Sequence, residues 1–115
     1  RTNDLLLNCH VSHARNSGGL WADKFSNKPG SEFSCKGAFK TLGSYESSYG
    51  KGKYKLGMRL QGLERGKNDN TFKRNIVFHT SFPLWSKGCF MTSAEHNKFI
   101  IDKTKNGSLV LVLKN

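Results

Sequence analysis

Short apolar segments separated by polar breaks rich in glycine and asparagine are the feature that most limits what this chain can fold into. Apolar side chains alternate along Phe33–Tyr45 and Tyr54–Leu63, and an alternation of period two is typical of strands with one buried face. Ile76–Phe78 is apolar throughout, as expected of a buried central strand. Leu5–Val11 and Ser108–Leu113 are further apolar segments bounded by turn-forming residues. The pattern predicts five or so strands.

One helix is predicted near the carboxyl end of the chain. Thr92 and Glu95 have the spacing of a capping box, Phe99–Ile101 supplies apolar helical positions, and Gly107 follows as a stop signal. A chain of 115 residues has the size of one domain. We therefore expect residues 1–115 to form a single domain of mainly β class, a mixed β-sandwich with one helix.

The formal net charge of +11 indicates an anionic partner or an anionic surface. Tyr45, Phe72 and Trp85 could stack nucleic-acid bases between lysines, but the lysines are scattered through turns rather than gathered on one element. We therefore expect no nucleic-acid partner. The longest apolar stretch, Leu109–Leu113, is far shorter than the roughly 20 residues that cross a bilayer, so no membrane span is predicted.

Three cysteines leave at least one thiol outside any intrachain disulfide. Two alternatives stay open for the first two: a Cys9–Cys35 disulfide, or two reduced residues. Cys9, His10 and His13 could suggest a metal site. On a strand, however, alternation places only Cys9 and His13 on one face, and two side chains are too few to hold a metal ion. No metal site is predicted.

The residues with the clearest chemical potential are His79 and Cys89. His79 follows the predicted central strand, and Cys89 lies ten residues later, before the predicted helix. A free thiol is a weak nucleophile at neutral pH until a base or a cation favours the thiolate. Gly88 permits a tight turn whose N–H groups could hold an oxyanion, and the helix start could lower the thiol pKa. The alternative is that Cys89 is a small buried apolar residue.

Several sequence blocks in the same order resemble one family. Ser86–Cys89, preceded by Ile76–His79, is similar to the His…Ser-x-Gly-Cys signature of L,D-transpeptidase (YkuD-like) catalytic domains, in particular the murein L,D-transpeptidase subgroup. The likeness covers almost the whole chain. Its other blocks are Arg15–Gly18, Phe25–Ser31, Gly37–Thr41 and Arg59–Glu64, the last followed by Gly66 and Asn68–Asp69.

The resemblance implies a β-rich domain in which Cys89 attacks a peptidoglycan stem peptide. A thioester would form with release of the terminal D-residue, and the acyl group would then pass to an amine or to water. The resemblance also implies that His79 is the base and that the backbone carbonyl of Thr80 orients its ring. Ser86 and Gly88 would shape the turn, and the Gly88 and Cys89 amides would line the oxyanion hole. It implies no metal or organic cofactor.

Three further residues are candidates for substrate binding. His13 would lie near the rim of the site. Arg59 could bind a substrate carboxylate through its planar guanidinium, or could be a solvated or structural arginine. Trp85 belongs to a His79-to-Cys89 loop that is shorter than is usual in the family.

Two alternatives accompany the transpeptidase interpretation. The domain could instead hydrolyse stem peptides, as an L,D-carboxypeptidase or endopeptidase, or it could be an inactive basic module that binds the cell wall. Thr80 stands where the subgroup tends to have glycine, and Phe90 and Met91 replace smaller or prolyl residues after the cysteine. The substrate implies a periplasmic or otherwise exported protein, expected to act as a monomer. We also expect the strand that pairs with Leu5–Val11 to be missing or to lie upstream of this chain.

Overall fold

The computed structural model describes residues 5–19, 21–46, 56–80 and 86–114. All five strands found in these ranges lie in one sheet, in the order β4-β3-β2-β1-β5. The elements in chain order are β1 (Gly37–Glu46), β2 (Leu56–Gly62), β3 (Val77–Thr80), β4 (Phe90–Thr92), α1 (Ala94–Thr104) and β5 (Leu109–Val112).

The sheet is mixed, because β3 and β4 run parallel while the other three neighbouring pairs are antiparallel. The prediction of a mainly β domain with one helix near the carboxyl end is confirmed. The described strands form one sheet with the helix and loop segments around it. The parallel pair places Cys89, just before β4, beside the start of β3, and His79 lies near the end of β3, so both candidate residues belong to this part of the sheet.

A compact apolar cluster holds the sheet and the helix together. Phe39, Met58, Phe78 and Phe90 meet in this cluster, with Ile101 contributed by α1. The rings of Phe39 and Phe90 pack edge to face, with centroids 5.8 Å apart, a geometry favoured by the aromatic quadrupole. Because α1 contacts β2, β3 and β4, its packing fixes the strands that carry the candidate site.

The helix begins one residue later than predicted. Ser93, not Thr92, is the N-cap, and its hydroxyl accepts a hydrogen bond from the His96 N–H at 3.4 Å. The prediction of Thr92 as the cap is wrong because Thr92 is the last residue of β4, where it pairs with Thr80 and is buried. The helix ends at Thr104, and Gly107 lies beyond it with a φ of 88°.

The predicted strand at Leu5–Val11 is wrong. This segment contains no strand. The residues after it form two isolated bridges, Ser12 with Met91 on the edge strand β4 and Ala14 with Ser86 in the turn before β4. The edge it approaches, β4, is only three residues long and offers little backbone for pairing. Leu5 is 80% exposed, so the apolar pattern here does not reflect a buried face.

A turn-rich segment, residues 63–75, carries the chain from β2 to β3 and is fastened by one buried asparagine. The Asn68 side-chain amide donates to the carbonyls of Lys36 and Ala38, at 3.1 and 2.9 Å. Its oxygen accepts from the Glu64 N–H at 2.9 Å. Since buried amide groups must be paired to be tolerated, Asn68 fixes this segment against the start of β1.

Candidate active site around His79 and Cys89

The parallel pairing of β3 and β4 brings His79 and Cys89 into one neighbourhood. His79 is paired with Met91, and Cys89 immediately precedes β4. The Cys89 Sγ lies 3.4 Å from the Val77 nitrogen and 3.6 Å from the Asn75 carbonyl oxygen. The thiol is therefore placed beside the start of β3, while the imidazole projects from near its end.

The imidazole of His79 is anchored through one nitrogen. Its Nδ1 lies 2.8 Å from the Thr80 carbonyl oxygen, and because a carbonyl only accepts, Nδ1 carries the proton and Nε2 is the nitrogen that can accept one. Burial lowers the pKa of His79 below its ordinary value, and the hydrogen bond to Thr80 offsets part of that shift. The ring is therefore neutral at pH 7 and able to accept a proton.

The thiol of Cys89 is also neutral at rest. Burial raises the pKa of Cys89, and the Val77 N–H and the Arg74 charge counteract only part of the rise. The sequence suggested a pKa lowered by the helix start, and the net shift is in the opposite direction. Within the described part of the chain, no hydrogen bond joins the His79 ring to Sγ, so the two groups do not form a preset ion pair.

Ser86 and Gly88 form the turn that presents Cys89. The Ser86 hydroxyl donates to the Cys89 carbonyl at 2.6 Å and accepts from the Gly88 N–H at 3.1 Å. Gly88 has a φ of 142°, a conformation that favours glycine. Because its amide is engaged by Ser86, the Gly88 N–H does not point freely at an oxyanion in this structure. The expected contribution of the Cys89 amide stays a prediction.

The amino-terminal segment borders this turn through its backbone. The Ser86 N–H donates to the His13 carbonyl at 3.1 Å, and the Arg15 N–H donates to the Ser86 carbonyl at 2.8 Å. The His13 ring lies against its own loop, with Nδ1 3.0 Å from the Ala14 oxygen and Nε2 3.0 Å from the Gly19 oxygen. His13 is thus adjacent to the turn, but both nitrogens of its ring face backbone carbonyls.

A row of residues across three strands extends the site, and it includes Tyr45, which the sequence did not place here. Gly57 pairs with both Tyr45 and His79, and side chains at directly paired positions share a face of the sheet. A Cβ on Gly57 would lie 2.6 Å from Cζ of Tyr45, so the phenol ring crosses Gly57 toward β3. The Arg59 guanidinium carbon lies 4.6 Å from the centre of that ring.

The remaining candidates are placed as follows. Trp85 lies outside the described residues. Cys9, Cys35 and Cys89 are free thiols, and Cys35 is buried 3.9 Å from the Thr71 hydroxyl.

Residues 5–19, 21–46, 56–80 and 86–114 contain no group of three side chains that could hold a metal ion. In the same ranges, no helix has the length and apolar character needed to cross a membrane.

Comparison with known proteins gives a match to a family. Residues 1–113 match the family model described as the L,D-transpeptidase catalytic domain. Searches among curated proteins and among solved structures returned no match. The matched range includes His79, Cys89 and all five strands of the described sheet. This chain belongs to the YkuD-like family of L,D-transpeptidase catalytic domains.

Proposed function

We propose that this chain is a cysteine acyltransferase that acts on peptidoglycan stem peptides through a thioester on Cys89. Membership of the family supports L,D-transpeptidase-type chemistry on peptidoglycan in general. The observation that carries the cysteine mechanism is the neutral imidazole of His79, which the Thr80 carbonyl fixes through Nδ1. His79 lies beside β4, the strand that begins just after Cys89.

The first half-reaction makes the thioester. As the substrate carbonyl approaches, Nε2 of His79 takes the proton of the Cys89 thiol, and the sulfur attacks the carbonyl carbon of the peptide bond before the terminal D-residue. The tetrahedral intermediate collapses with cleavage of the C–N bond. Nε2 returns the proton to the leaving amine, so that one histidine serves as base and then as acid.

The second half-reaction releases the acyl group. The amine of a neighbouring stem peptide attacks the thioester carbonyl and gives its proton to Nε2 of His79. The C–S bond then breaks, and the proton returns to the sulfur of Cys89. The hydrogen bond from Nδ1 to the Thr80 carbonyl keeps the ring in the tautomer that both half-reactions require.

Arg59 is proposed to bind a carboxylate of the stem peptide. Its guanidinium is exposed and stacked on Tyr45, and stacking leaves the N–H groups at the edge of the plane available for bidentate binding. Tyr45 crosses Gly57, the residue paired with His79, so a carboxylate held by Arg59 would position its peptide near the reacting pair. His13 and Trp85 are retained as candidates for the substrate rim.

A second candidate function is an inactive wall-binding module, which one observation favours. Burial raises the pKa of Cys89, and no hydrogen bond links the thiol to His79 among the described residues. Catalytic contacts are often long before substrate binds, so we give priority to the enzyme. For either function we propose that the protein is exported, because its substrate lies outside the cytoplasmic membrane.

The decisive experiment measures D-alanine released from a purified disaccharide tetrapeptide, with and without an added amine acceptor. We expect release by the wild type, loss in Cys89→Ala, and a fall of about 10² to 10⁴-fold in His79→Gln. His96→Gln is the matched control, because His96 lies on α1, and it should retain activity. No release by the wild type would favour the binding module, and release without a new amide product would favour hydrolysis.

A further inference from the structure

We propose that Arg74 is a positioning residue of this site, whose guanidinium holds the Gly88–Cys89 turn in place and stabilises the Cys89 thiolate. The second part rests on the proposed function, since a thiolate matters only if Cys89 is the nucleophile. Arg74 lies just before β3 and carries no role in the sequence pattern that identifies the site.

The guanidinium of Arg74 is fixed by three neutral acceptors from one segment. Nη1 donates to the Ser26 carbonyl at 2.9 Å, and Nη2 donates to the Phe33 carbonyl at 2.6 Å and to the Ser31 hydroxyl at 3.3 Å. A planar fork held at both ends is far more rigid than a solvated side chain. The position of the charge is therefore set by the fold.

The same guanidinium packs directly on the turn that carries the nucleophile. A Cβ on Gly88 would lie 3.2 Å from Nη2 of Arg74 and 3.2 Å from the Ile76 side chain. The absence of a side chain at Gly88 lets the cation approach the residue that precedes Cys89. Arg74 thus connects the segment that contains Ser26 and Phe33 with the turn.

Within the part of the chain that the structure describes, no carboxylate forms an ion pair with Arg74. The ion pairs found among the described residues join Arg15 to Glu32, Lys67 to Glu64 and Lys98 to Asp102. The partners of Arg74 are two carbonyls and a hydroxyl, which bind the cation without cancelling it. Its field acts on Cys89, where it lowers the thiol pKa against the larger effect of burial.

The backbone next to Arg74 also reaches the thiol. Asn75 has a φ of 55°, a left-handed conformation that asparagine tolerates better than most residues. Its carbonyl oxygen lies 3.6 Å from Sγ of Cys89, where it can accept the proton of the resting thiol. Two groups with opposite effects therefore flank Cys89: the Arg74 guanidinium favours the thiolate, and the Asn75 carbonyl favours the protonated thiol.

The test measures the pKa of Cys89 from the pH dependence of its alkylation, with peptide mapping to separate it from Cys9 and Cys35. Arg74→Gln removes the charge, so the pKa should rise by about one unit or more, with a roughly tenfold slower alkylation at pH 7. Arg74→Lys should recover part of the shift, and Lys73→Gln, a change of an exposed neighbour, should leave it unchanged. An unchanged pKa in folded Arg74→Gln would overturn the proposal.

A second measurement on the wild type covers the case in which Arg74→Gln does not fold. The side-chain ¹⁵N resonances of Arg74 should shift with the same midpoint as Cys89 alkylation, and this shift should vanish in Cys89→Ser. Resonances that do not respond to Cys89 ionisation would overturn the proposal. Neither measurement uses substrate, so failure here is distinguishable from failure of the proposed acyl transfer, which D-alanine release reports.

Discussion

At the scale of single residues, the site is built from two groups that are both uncharged before substrate binds. Burial lowers the pKa of His79 and raises the pKa of Cys89, because a weakly polar environment disfavours the charged form of each. In the proposed reaction, charge separation would therefore be postponed until the thiol attacks. Enzymes that form a thiolate–imidazolium pair at rest differ in this respect, and the difference is visible in pH dependence.

The first prediction concerns the acid limb of the pH profile. The base form of His79 persists to lower pH than an ordinary histidine, so kcat/KM for D-alanine release should fall only below the ordinary pKa of about 6.5. The measurement is kcat/KM as a function of pH, with His96→Gln as the control. An acid limb centred above that value would indicate a stabilised imidazolium and contradict this assignment.

The same shift predicts how stability depends on pH. Since the folded pKa of His79 lies below its unfolded value, unfolding takes up a proton between the two values and stability rises with pH there. The contribution is fully present above about pH 6.5 and is lost as the pH falls through the folded pKa. The free energies of unfolding in urea of the wild type and of His79→Gln should therefore converge in acid. A difference between them that stays the same across that pH range would refute the linkage.

The third prediction concerns Ser86, whose hydroxyl bridges Cys89 and Gly88. Ser86→Ala should destabilise the fold by about 1–3 kcal/mol, because it leaves the buried Gly88 amide without an acceptor. Ser44→Ala, at an exposed position of β1, is the matched control. Equal midpoints of urea unfolding for the two variants would show that the turn does not depend on this hydroxyl.

At the scale of elements, sequence patterns succeed where local rules determine the outcome. Leu56–Gly62, Val77–Thr80 and the helix were predictable, because alternation and apolar runs have a direct structural meaning. The strand at Leu5–Val11 failed because an apolar run does not reveal whether a partner strand is available. Local propensity gave Thr92 as the cap, and tertiary pairing with Thr80 overrode it.

The site itself was predictable only in part, for the same physical reason. His79 and Cys89 follow from chemistry and family motif. Tyr45 and Arg74 do not. Tyr45 depends on the register of β1 and β2, which places it opposite Gly57, and Arg74 depends on a fold that brings its guanidinium to Gly88. Such contacts between distant segments leave no periodic signal in the sequence.

The fourth prediction separates the two candidate helix caps. Ser93→Ala should destabilise the protein by about 0.5–1 kcal/mol, the low end for a cap, because its hydrogen bond is long, at 3.4 Å. Thr92→Val should be neutral or stabilising, because the buried Thr92 hydroxyl has no hydrogen-bond partner among the described residues and its removal relieves a desolvation cost. Urea unfolding measures both. A larger loss for Thr92→Val than for Ser93→Ala would contradict this assignment.

At the scale of the whole molecule, positive charge and a cysteine site have to be considered together. The net charge of +11 attracts anionic polymers in a manner that salt weakens. We expect retention on purified cell-wall sacculi to fall steeply between low salt and roughly 0.5 M salt, and to be equal for the wild type and Cys89→Ala. Salt-independent retention would show that the charge is not what holds the protein to the wall.

The central claim is that Cys89 becomes acylated by a stem peptide. The most direct measurement is the intact mass of the protein after acid quenching of a reaction with disaccharide tetrapeptide. We expect a wild-type adduct equal to the substrate minus its terminal D-residue, mapped to Cys89 and absent in Cys89→Ala. An adduct that persists in Cys89→Ala, or a wild type that releases D-alanine without ever forming one, would contradict the thioester mechanism.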